Sequence, residues 1–307
     1  MDLDLGILGQ QILNGLTIGS MYALIALGYT MVYGILQLIN FAHGEVFMIG
    51  SFLGLGTLLG LEALHISLPI PLALLVAFVV AMAGAALLGM GIERIAYRPL
   101  RSSPRLALLI TALGLSIVLQ NAVMLLVGTE DRTYPEAFTE ALIDGFDLGP
   151  IHISYQQLFT LGLALVLMVG LTVLVQRTRL GKAMRATAQD PVTAGLMGIE
   201  SNRVIAYTFA IGSALAAAGG ILFGLTYSIN FFIGYQAGLK AFIAAVLGGI
   251  GNIPGAMLGG LLLGVVEALG AGYVSGTWKD VIAFGILVLV LIFRPSGLLG
   301  ERVAEKV

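Results

Sequence analysis

Long apolar stretches recur along the whole chain and limit how it can fold. We mark nine of them, at residues 7–27, 46–61, 71–92, 106–127, 155–175, 204–228, 237–250, 255–272 and 281–293. A bilayer core about 30 Å thick needs roughly 20 apolar residues per helix, and backbone groups in lipid must be satisfied within that helix. Two segments, 46–61 and 237–250, are short, and the run at 28–45 is apolar but broken. The pattern predicts an all-α polytopic membrane protein with eight or nine transmembrane helices.

Composition supports this class. Hydrophobic residues make up 58% of the 307 residues, charged residues only 10%, and the mean hydropathy is +1.00. Glycine, with 42 residues, is about twice as frequent as in average proteins. Glycines four residues apart, such as Gly15/Gly19 and Gly260/Gly264, predict helices that cross closely. The N-terminal stretch has two acids and no base, so we expect the first helix to be retained rather than cleaved as a signal peptide.

The distribution of charge predicts the orientation of the chain. Basic residues concentrate in residues 93–105, in residues 177–203 and in the tail after Phe293, whereas residues 129–154 hold six acids and one arginine. Segments rich in Lys and Arg stay on the cytoplasmic side of a membrane. The three basic regions, including the C-terminus, are therefore expected to be cytoplasmic, and the acidic loop and the N-terminus external.

A polar interruption at residues 176–203 is too long for a simple turn. It carries a third of all Lys and Arg, namely Arg177, Arg179, Lys182, Arg185 and Arg203. Within it, Leu180, Met184 and Ala188 recur at four-residue spacing and so share one face of a predicted helix.

A second short helix is predicted directly after the first. Asp190 is a suitable N-cap, Pro191 suits the first helical position, and Gly198 suits the C-terminal cap. This helix would display Val192, Leu196 and Met197. Such an element could lie on the membrane surface as an amphipathic helix. A capped corner between two helices favours docking to another protein instead.

Polar residues next to the membrane form two further candidate sites. Asn40, His43 and Glu45 lie in or beside an apolar run, where ionisable groups are costly and usually mark function. They are candidates for a gate of a transport pathway, and the alternative is a connecting turn whose polar groups are solvated. Asn252, in the turn GGIGNIPG, is a further pathway candidate.

Lys240 and Glu267 are charges within two consecutive apolar segments. These segments are predicted to run antiparallel, which puts both residues at a similar depth near the outer end. We predict a structural ion pair, because a paired charge is better tolerated in a membrane than an isolated one. The alternative is that each side chain reaches the outer surface separately.

Three long stretches resemble one family of membrane proteins. Residues 14–52 (NGLTIGSMYALIALGYTMVYGILQLINFAHGEVFMIGSF), 92–106 (IERIAYRPLRSSPRL) and 238–269 (GLKAFIAAVLGGIGNIPGAMLGGLLLGVVEAL) are similar to LivH-type permeases of high-affinity branched-chain amino acid ABC transporters. The similarity runs from residue 14 to the RPSGLLG tail at 294–300. It implies the permease fold of type II ABC importers, with residues 1–307 forming a single transmembrane permease domain.

The polar interruption also resembles the cytoplasmic coupling loop of ABC importer permeases, which seats in a groove of the ATPase. We refer to residues 177–203 as the coupling loop. The resemblance implies an ATPase contact at Arg185, Ala186, Ala188, Asp190, Pro191, Gly195, Met197 and Gly198. The loop departs from the general pattern, because Glu-Ala-Ala is replaced by Arg185-Ala186-Thr187-Ala188 and the distal Leu-Pro is missing.

The resemblance implies the partners of a complete importer. These are a homologous second permease, two cytoplasmic ATPases that carry ATP and Mg, and a periplasmic or extracytoplasmic amino-acid-binding protein. This chain is then expected to bind no cofactor, metal or nucleic acid itself, and to lie among lipids of the bacterial inner membrane.

Other functions remain to be weighed against this one. Related permeases for urea or short-chain amides share much of the pattern. A self-contained secondary carrier would show acids deep in several spans, whereas Glu267 is the one acid predicted clearly within a segment. An intramembrane enzyme is disfavoured because HExxH, GxSxG and GxxxxGK[ST] motifs and all cysteines are absent.

Overall fold

The structure, a computed structural model, describes residues 5–300 of the chain and is almost entirely helical. The helices are α1 (Leu5–Leu36), α2 (His43–Ala63), α3 (Ile70–Ile92), α4 (Arg105–Val127), α5 (Glu136–Ile143), α6 (Tyr155–Arg177), α7 (Arg179–Gln189), α8 (Pro191–Leu196), α9 (Ser201–Thr226), α10 (Ile233–Gly248), α11 (Ile253–Tyr273) and α12 (Lys279–Phe293). Each of the nine apolar segments corresponds to one helix of at least 15 residues. The predicted class of all-α polytopic membrane protein is confirmed.

Helix length separates these nine helices into two groups. Within residues 5–300, seven are long and apolar enough to cross a membrane: α1, α2, α3 with its extension to Leu100, α4, α6, α9 and α11. The remaining two, α10 with 16 residues and α12 with 15, are shorter than the roughly 20 residues of a full span. Length and composition alone thus identify seven candidate spans and leave α10 and α12 as shorter helices.

The first two helices differ from their predicted bounds. Helix α1 does not break after Leu27 but continues to Leu36. Helix α2 begins at His43, three residues before the predicted segment, so Glu45 lies inside a helix and is buried. The expectation that Glu267 is the one acid clearly within a span was therefore wrong. The error arose because His43, Gly44 and Glu45 are poor apolar signals but acceptable in a first helical turn.

Helices α1 and α9 form the centre of the bundle and are mostly buried, whereas α4 and α6 lie at its periphery and are mostly exposed. Small residues bring α1 against α11. A Cβ atom on Gly19 would lie 2.8 Å from the Gly260 carbonyl oxygen and 2.9 Å from the Leu261 Cα. The glycine spacing therefore marks a close backbone crossing, as predicted.

The predicted acidic and basic segments collect at opposite ends of the molecule. At one end, the His152 backbone N–H of the acidic loop donates to Gln10 at the start of α1. At the other end, Arg101 donates to Asn202 Oδ1 at 2.7 Å, which joins the first basic segment to the coupling loop. Helix α9 connects the two ends and, at 26 residues, spans about 39 Å.

The acidic loop contains structure that the sequence analysis did not predict. Helix α5 is followed by a two-stranded antiparallel hairpin of β1 (Gly145–Leu148) and β2 (Ile151–Ser154). Tyr134, just before α5, is buried and donates to the Ser51 carbonyl of α2 at 2.7 Å. The loop is therefore anchored to the helix bundle.

Candidate coupling loop and buried polar sites

The coupling loop folds as two short helices at a fixed angle. Helix α7 is amphipathic, buries Met184, and lies against the end of α6 at Gly181. Asp190 then leaves the helical conformation, with φ −157° and ψ 103°, and caps α8 by accepting from the backbone N–H groups of Val192 at 2.8 Å and Thr193 at 3.2 Å. Pro191 occupies the first helical position, where no N–H donor is needed.

The other end of α8 is closed by a left-handed residue. Gly198 has φ +82°, and the Ile199 N–H returns to the Ala194 carbonyl at 3.0 Å. This arrangement satisfies carbonyl groups that a six-residue helix would otherwise leave free. A second link holds the loop to α9, because Ser201 donates to the Pro191 carbonyl at 3.1 Å.

Three apolar side chains of the loop point away from the protein. Val192, Leu196 and Met197 are 74, 84 and 79% exposed. The buried residue of the same short helix, α8, is Ala194, which faces the protein. An exposed apolar face on a conformationally fixed corner is typical of a docking surface.

Hydrogen bonds to Thr193 favour the ionised form of the Asp190 cap. The Thr193 hydroxyl and backbone N–H, with the Val192 N–H, hold the pKa of Asp190 below its usual value. Because the pKa is lower in the folded loop, the cap stabilises α8 above the ordinary carboxyl pKa. That stabilisation is lost as the pH falls through the lowered value.

Arg185 is exposed and forms a hydrogen bond to the preceding helix. Its guanidinium donates to the Val175 carbonyl at the C-terminal end of α6. The side chain thus fixes α7 on the preceding helix, and a cation at that position also suits the helix dipole. Ala186 and Ala188 lie partly buried on α7, and Gly195 is exposed on α8.

The segment at Asn40–Glu45 is buried rather than solvated. Asn40 Oδ1 accepts from the Tyr97 hydroxyl at 2.8 Å and from the Ala42 N–H at 3.1 Å. The His43 ring makes an edge-on contact with Tyr29, with ring centroids 4.9 Å apart. A solvated connecting turn does not describe these residues.

Glu45 makes one polar side-chain contact in this region. Its Oε1 accepts from Ser116 of α4 at 3.0 Å, and its Oε2 has no hydrogen-bond partner among the described residues. Oε2 packs against Gly234, where a Cβ would overlap it. The carboxyl group therefore sits between peripheral helix α4 and the start of α10.

Asn252 is not part of this cluster. Its Oδ1 caps α11 by accepting from the Gly255 N–H at 3.0 Å, and its Nδ2 donates to the Leu299 carbonyl at 2.8 Å. The side chain thus joins the α10–α11 turn to the segment after α12.

The structure brings Lys240 and Glu267 together. Lys240 Nζ lies 2.6 Å from Glu267 Oε1 and 2.8 Å from Asp280, while Lys279 lies 3.5 Å from the same Glu267 oxygen. Tyr22 of α1 donates to Glu267 Oε2 at 3.0 Å. The pair is thus part of a group of four charges, and Lys279 and Asp280 at the start of α12 were missed because their loop gives no periodic signal.

A second buried acid was also missed. Glu93 is fully buried and pairs with Arg98 at 3.3 Å and with Arg101. In the sequence, residues 93–105 indicated the orientation and contributed to the family resemblance, but they were not recognised as an ion-pair site. An acid within a cluster of arginines could have indicated this pairing.

Known proteins match the chain along nearly all of its length. A family model described as the permease component of branched-chain amino acid transport systems matches residues 11–291. The chain is 51% identical over 305 residues to the high-affinity branched-chain amino acid transport system permease protein BraD of Pseudomonas aeruginosa, with 97% of each chain covered. It is 49% identical over 302 residues to the permease protein LivH of Salmonella typhimurium, again with 97% of each chain covered.

These relatives confirm the resemblance found in the sequence. They favour branched-chain amino acid transport over the urea and amide alternative, and a transport subunit over an enzyme or a self-contained carrier. The chain therefore belongs to the permease components of branched-chain amino acid ABC transport systems and is a multi-pass membrane transport subunit.

Proposed function

We propose that this chain forms half of a translocation pathway in the bacterial inner membrane. A homologous second permease completes the pathway, and two cytoplasmic ATPases, which hold ATP and Mg, drive it. An extracytoplasmic binding protein delivers branched-chain or other hydrophobic amino acids to the opposite end. The C-terminus and the coupling loop face the cytoplasm.

The exposed corner of α7 and α8 carries this proposal. Val192, Leu196 and Met197 form an apolar face at the basic end of the protein, on a helix fixed at both ends. Apolar side chains held this far into solvent are stabilised when a partner covers them. The position of the loop supports an ATPase as that partner, because α9, which follows the loop directly, lies at the centre of the bundle.

Movement at this corner changes the pathway because ATP binding and the arrangement of the helices are thermodynamically linked. ATP binding and the loaded binding protein each favour one of two arrangements of the helices. A rigid loop transmits a displacement to both attached helices, since α7 is held by Arg185 and α8 by Ser201. The buried cluster of Asn40, His43 and Glu45 supports a gate in the same bundle. Glu45 lies between α4 and α10, and His43 contacts Tyr29 of α1.

The test is the composition of the complex that contains this chain. The tagged protein, extracted in mild detergent from cells grown without amino acids, is expected to copurify with a second permease and with ATPase subunits. A binding protein added with the complex should carry a branched-chain amino acid, which mass spectrometry identifies. Recovery of this chain alone, with leucine uptake by the purified protein in liposomes without ATP, would overturn the proposal.

A further inference from the structure

A small recess opens among the helix ends that lie opposite the coupling loop. Its volume is about 160 Å³, and residues of α1, α9, α10, α11 and α12 line it. Helix α9 begins beside the coupling loop and ends near Tyr227, which forms part of the recess wall. The recess therefore lies about one membrane thickness from the loop, at the end where an imported solute enters.

The inner wall of the recess is apolar and aromatic. Ile18, Phe223 and Ile233 supply aliphatic and aromatic surface, and Tyr22 and Tyr227 add rings with polar tips. An apolar cavity of about 150 Å³ in a protein can hold a benzene ring. The recess thus has space for a branched aliphatic side chain, with the polar end of the ligand at the opening.

Two cations, Lys240 and Lys279, and two anions, Glu267 and Asp280, lie in or beside the recess, and they differ in how exposed they are to solvent. Glu267 is only 4% exposed, and both of its oxygens are occupied by Lys240 and Tyr22. Lys279 and Asp280, at the start of α12, are 42 and 52% exposed. Lys279 lines the recess and has its nearest acid oxygen 3.5 Å away, whereas Asp280 lies beside the recess and contacts Lys240. These two are the most exposed cation and anion of the group.

We propose that the recess is a transit site for a zwitterionic amino acid with an aliphatic side chain, an inference that rests on the proposed function. The ligand's carboxylate faces Lys279, its ammonium group faces Asp280, and its side chain packs on Ile18 and Ile233. An exposed cation beside an exposed anion suits a zwitterion, because a singly charged solute would match only one of the two charges. A small, open site also suits transport, since a solute in transit must leave again.

The test uses the absence of cysteine from the chain. A single cysteine is introduced as Gln236→Cys, on the recess wall, in the complete transporter in lipid nanodiscs without binding protein. The rate of maleimide labelling of this chain is measured while free leucine is added up to saturation. Tyr235→Cys is the matched control, because Tyr235 is adjacent, exposed and not part of the recess wall.

Leucine at saturation should slow labelling of the Gln236→Cys variant by about tenfold, because only unoccupied sites react. It should leave the rate of the Tyr235→Cys variant unchanged. 4-Methylpentanoate, which lacks the ammonium group, and 3-methylbutylamine, which lacks the carboxylate, should protect far less at equal concentration. Equal protection by all three compounds would contradict a site for zwitterions.

A second change tests the role of the exposed cation. Lys279→Gln in the Gln236→Cys background should abolish protection by leucine, whereas Arg132→Gln, a loss of charge at the same end but outside the recess, should preserve it. No protection of the Gln236→Cys variant at any leucine concentration, in a transporter whose wild-type form imports leucine, would reject this inference and leave the proposed function standing. Failure of the wild-type complex to import leucine would instead reject the proposed function.

Discussion

The carboxylate of Glu267 is buried between helices, and the donors around it show how its charge is tolerated. Lys240, Lys279 and Tyr22 all lie within reach of its two oxygens. An isolated charge at such a site is costly, whereas a paired and hydrogen-bonded one is acceptable. The sequence predicted the partnership of Lys240 and Glu267 because two antiparallel helices joined by a short turn fix relative depth.

Removing one member of this pair should destabilise the protein more than removing both. Lys240→Met leaves Glu267 buried with Lys279, at 3.5 Å, as its remaining cation. We expect the free energy of unfolding to fall by about 3 kcal/mol. The double variant Lys240→Met/Glu267→Met should recover much of this loss, because no buried charge is then left without its partner and the exposed Lys279 and Asp280 can be solvated. Thermal unfolding of the purified protein in detergent measures both effects.

Exchanging Lys240 and Glu267 for each other tests their interaction less well than the double Met variant does. It would put an acid beside Asp280 and a base beside Lys279. Additive losses in the Met double variant would show that Lys240 and Glu267 do not interact energetically.

At the scale of elements, the glycines of α1 and α11 set the distance between two central helices. The Cβ of an alanine at position 19 would meet backbone atoms of Gly260 and Leu261, which cannot rotate away as a side chain can. The four-residue spacing of glycine could be recognised in the sequence. Which helix each pair contacts could not, because spacing alone does not identify a partner.

Gly19→Ala should therefore force α1 and α11 apart and destabilise the bundle by about 1–3 kcal/mol. Gly162→Ala on α6 is the matched control, since its Cβ would meet nothing within 4 Å. Helix propensity alone would make both substitutions stabilising. Equal unfolding temperatures for the two variants would contradict a tight α1–α11 crossing.

The coupling loop is the element that the sequence predicted in most detail. Asp190, Pro191 and Gly198 are local signals that depend on only a few neighbouring residues, and the structure contains the corner they indicate. The hydrogen bond from Arg185 to the Val175 carbonyl was not predicted, because it depends on where the end of α6 lies. In the same way, the start of α2 was missed because tertiary burial, not apolar periodicity, accommodates His43 and Glu45.

For the whole molecule, the separation of acidic and basic segments predicts one orientation in the membrane. A single cysteine at Glu140, in the acidic loop, should react with a membrane-impermeant maleimide in intact spheroplasts. A cysteine at Val192, in the coupling loop, should react only after the membrane is opened. The chain has no cysteine of its own to obscure the result, and the reverse pattern would overturn the assigned orientation.

The class of membrane protein and the family of the whole molecule could be predicted from the sequence. Apolar segments of spanning length define the class, and long matching stretches define the family. The number of membrane crossings was harder to predict, because α10 and α12 are shorter than a full span. Their depth in the membrane depends on packing against α11. The anchoring of the acidic loop was missed for a similar reason, since the contacts of His152 with Gln10 and of Tyr134 with Ser51 join residues that are distant in sequence.

The most direct test of the account is coupled transport by variants of the coupling loop. Binding-protein-dependent leucine uptake and ATP hydrolysis are measured together in proteoliposomes that contain the complete transporter. Asp190→Pro removes the cap and cannot adopt the native φ of −157°, whereas Asp190→Asn keeps an accepting oxygen. Leu196→Glu places a charge on the exposed apolar face, and Gln189→Glu adds the same charge on α7, outside that face.

We predict that Asp190→Pro and Leu196→Glu each lower leucine uptake by about tenfold or more. In both variants the loaded binding protein should no longer stimulate ATP hydrolysis. The size of the effect follows because a lost apolar contact of this size is worth roughly 1.5–3 kcal/mol. Asp190→Asn and Gln189→Glu should retain most of both activities. Normal uptake and normal stimulated hydrolysis in the Asp190→Pro and Leu196→Glu transporters would contradict the claim that ATP-driven movement enters the membrane through this loop.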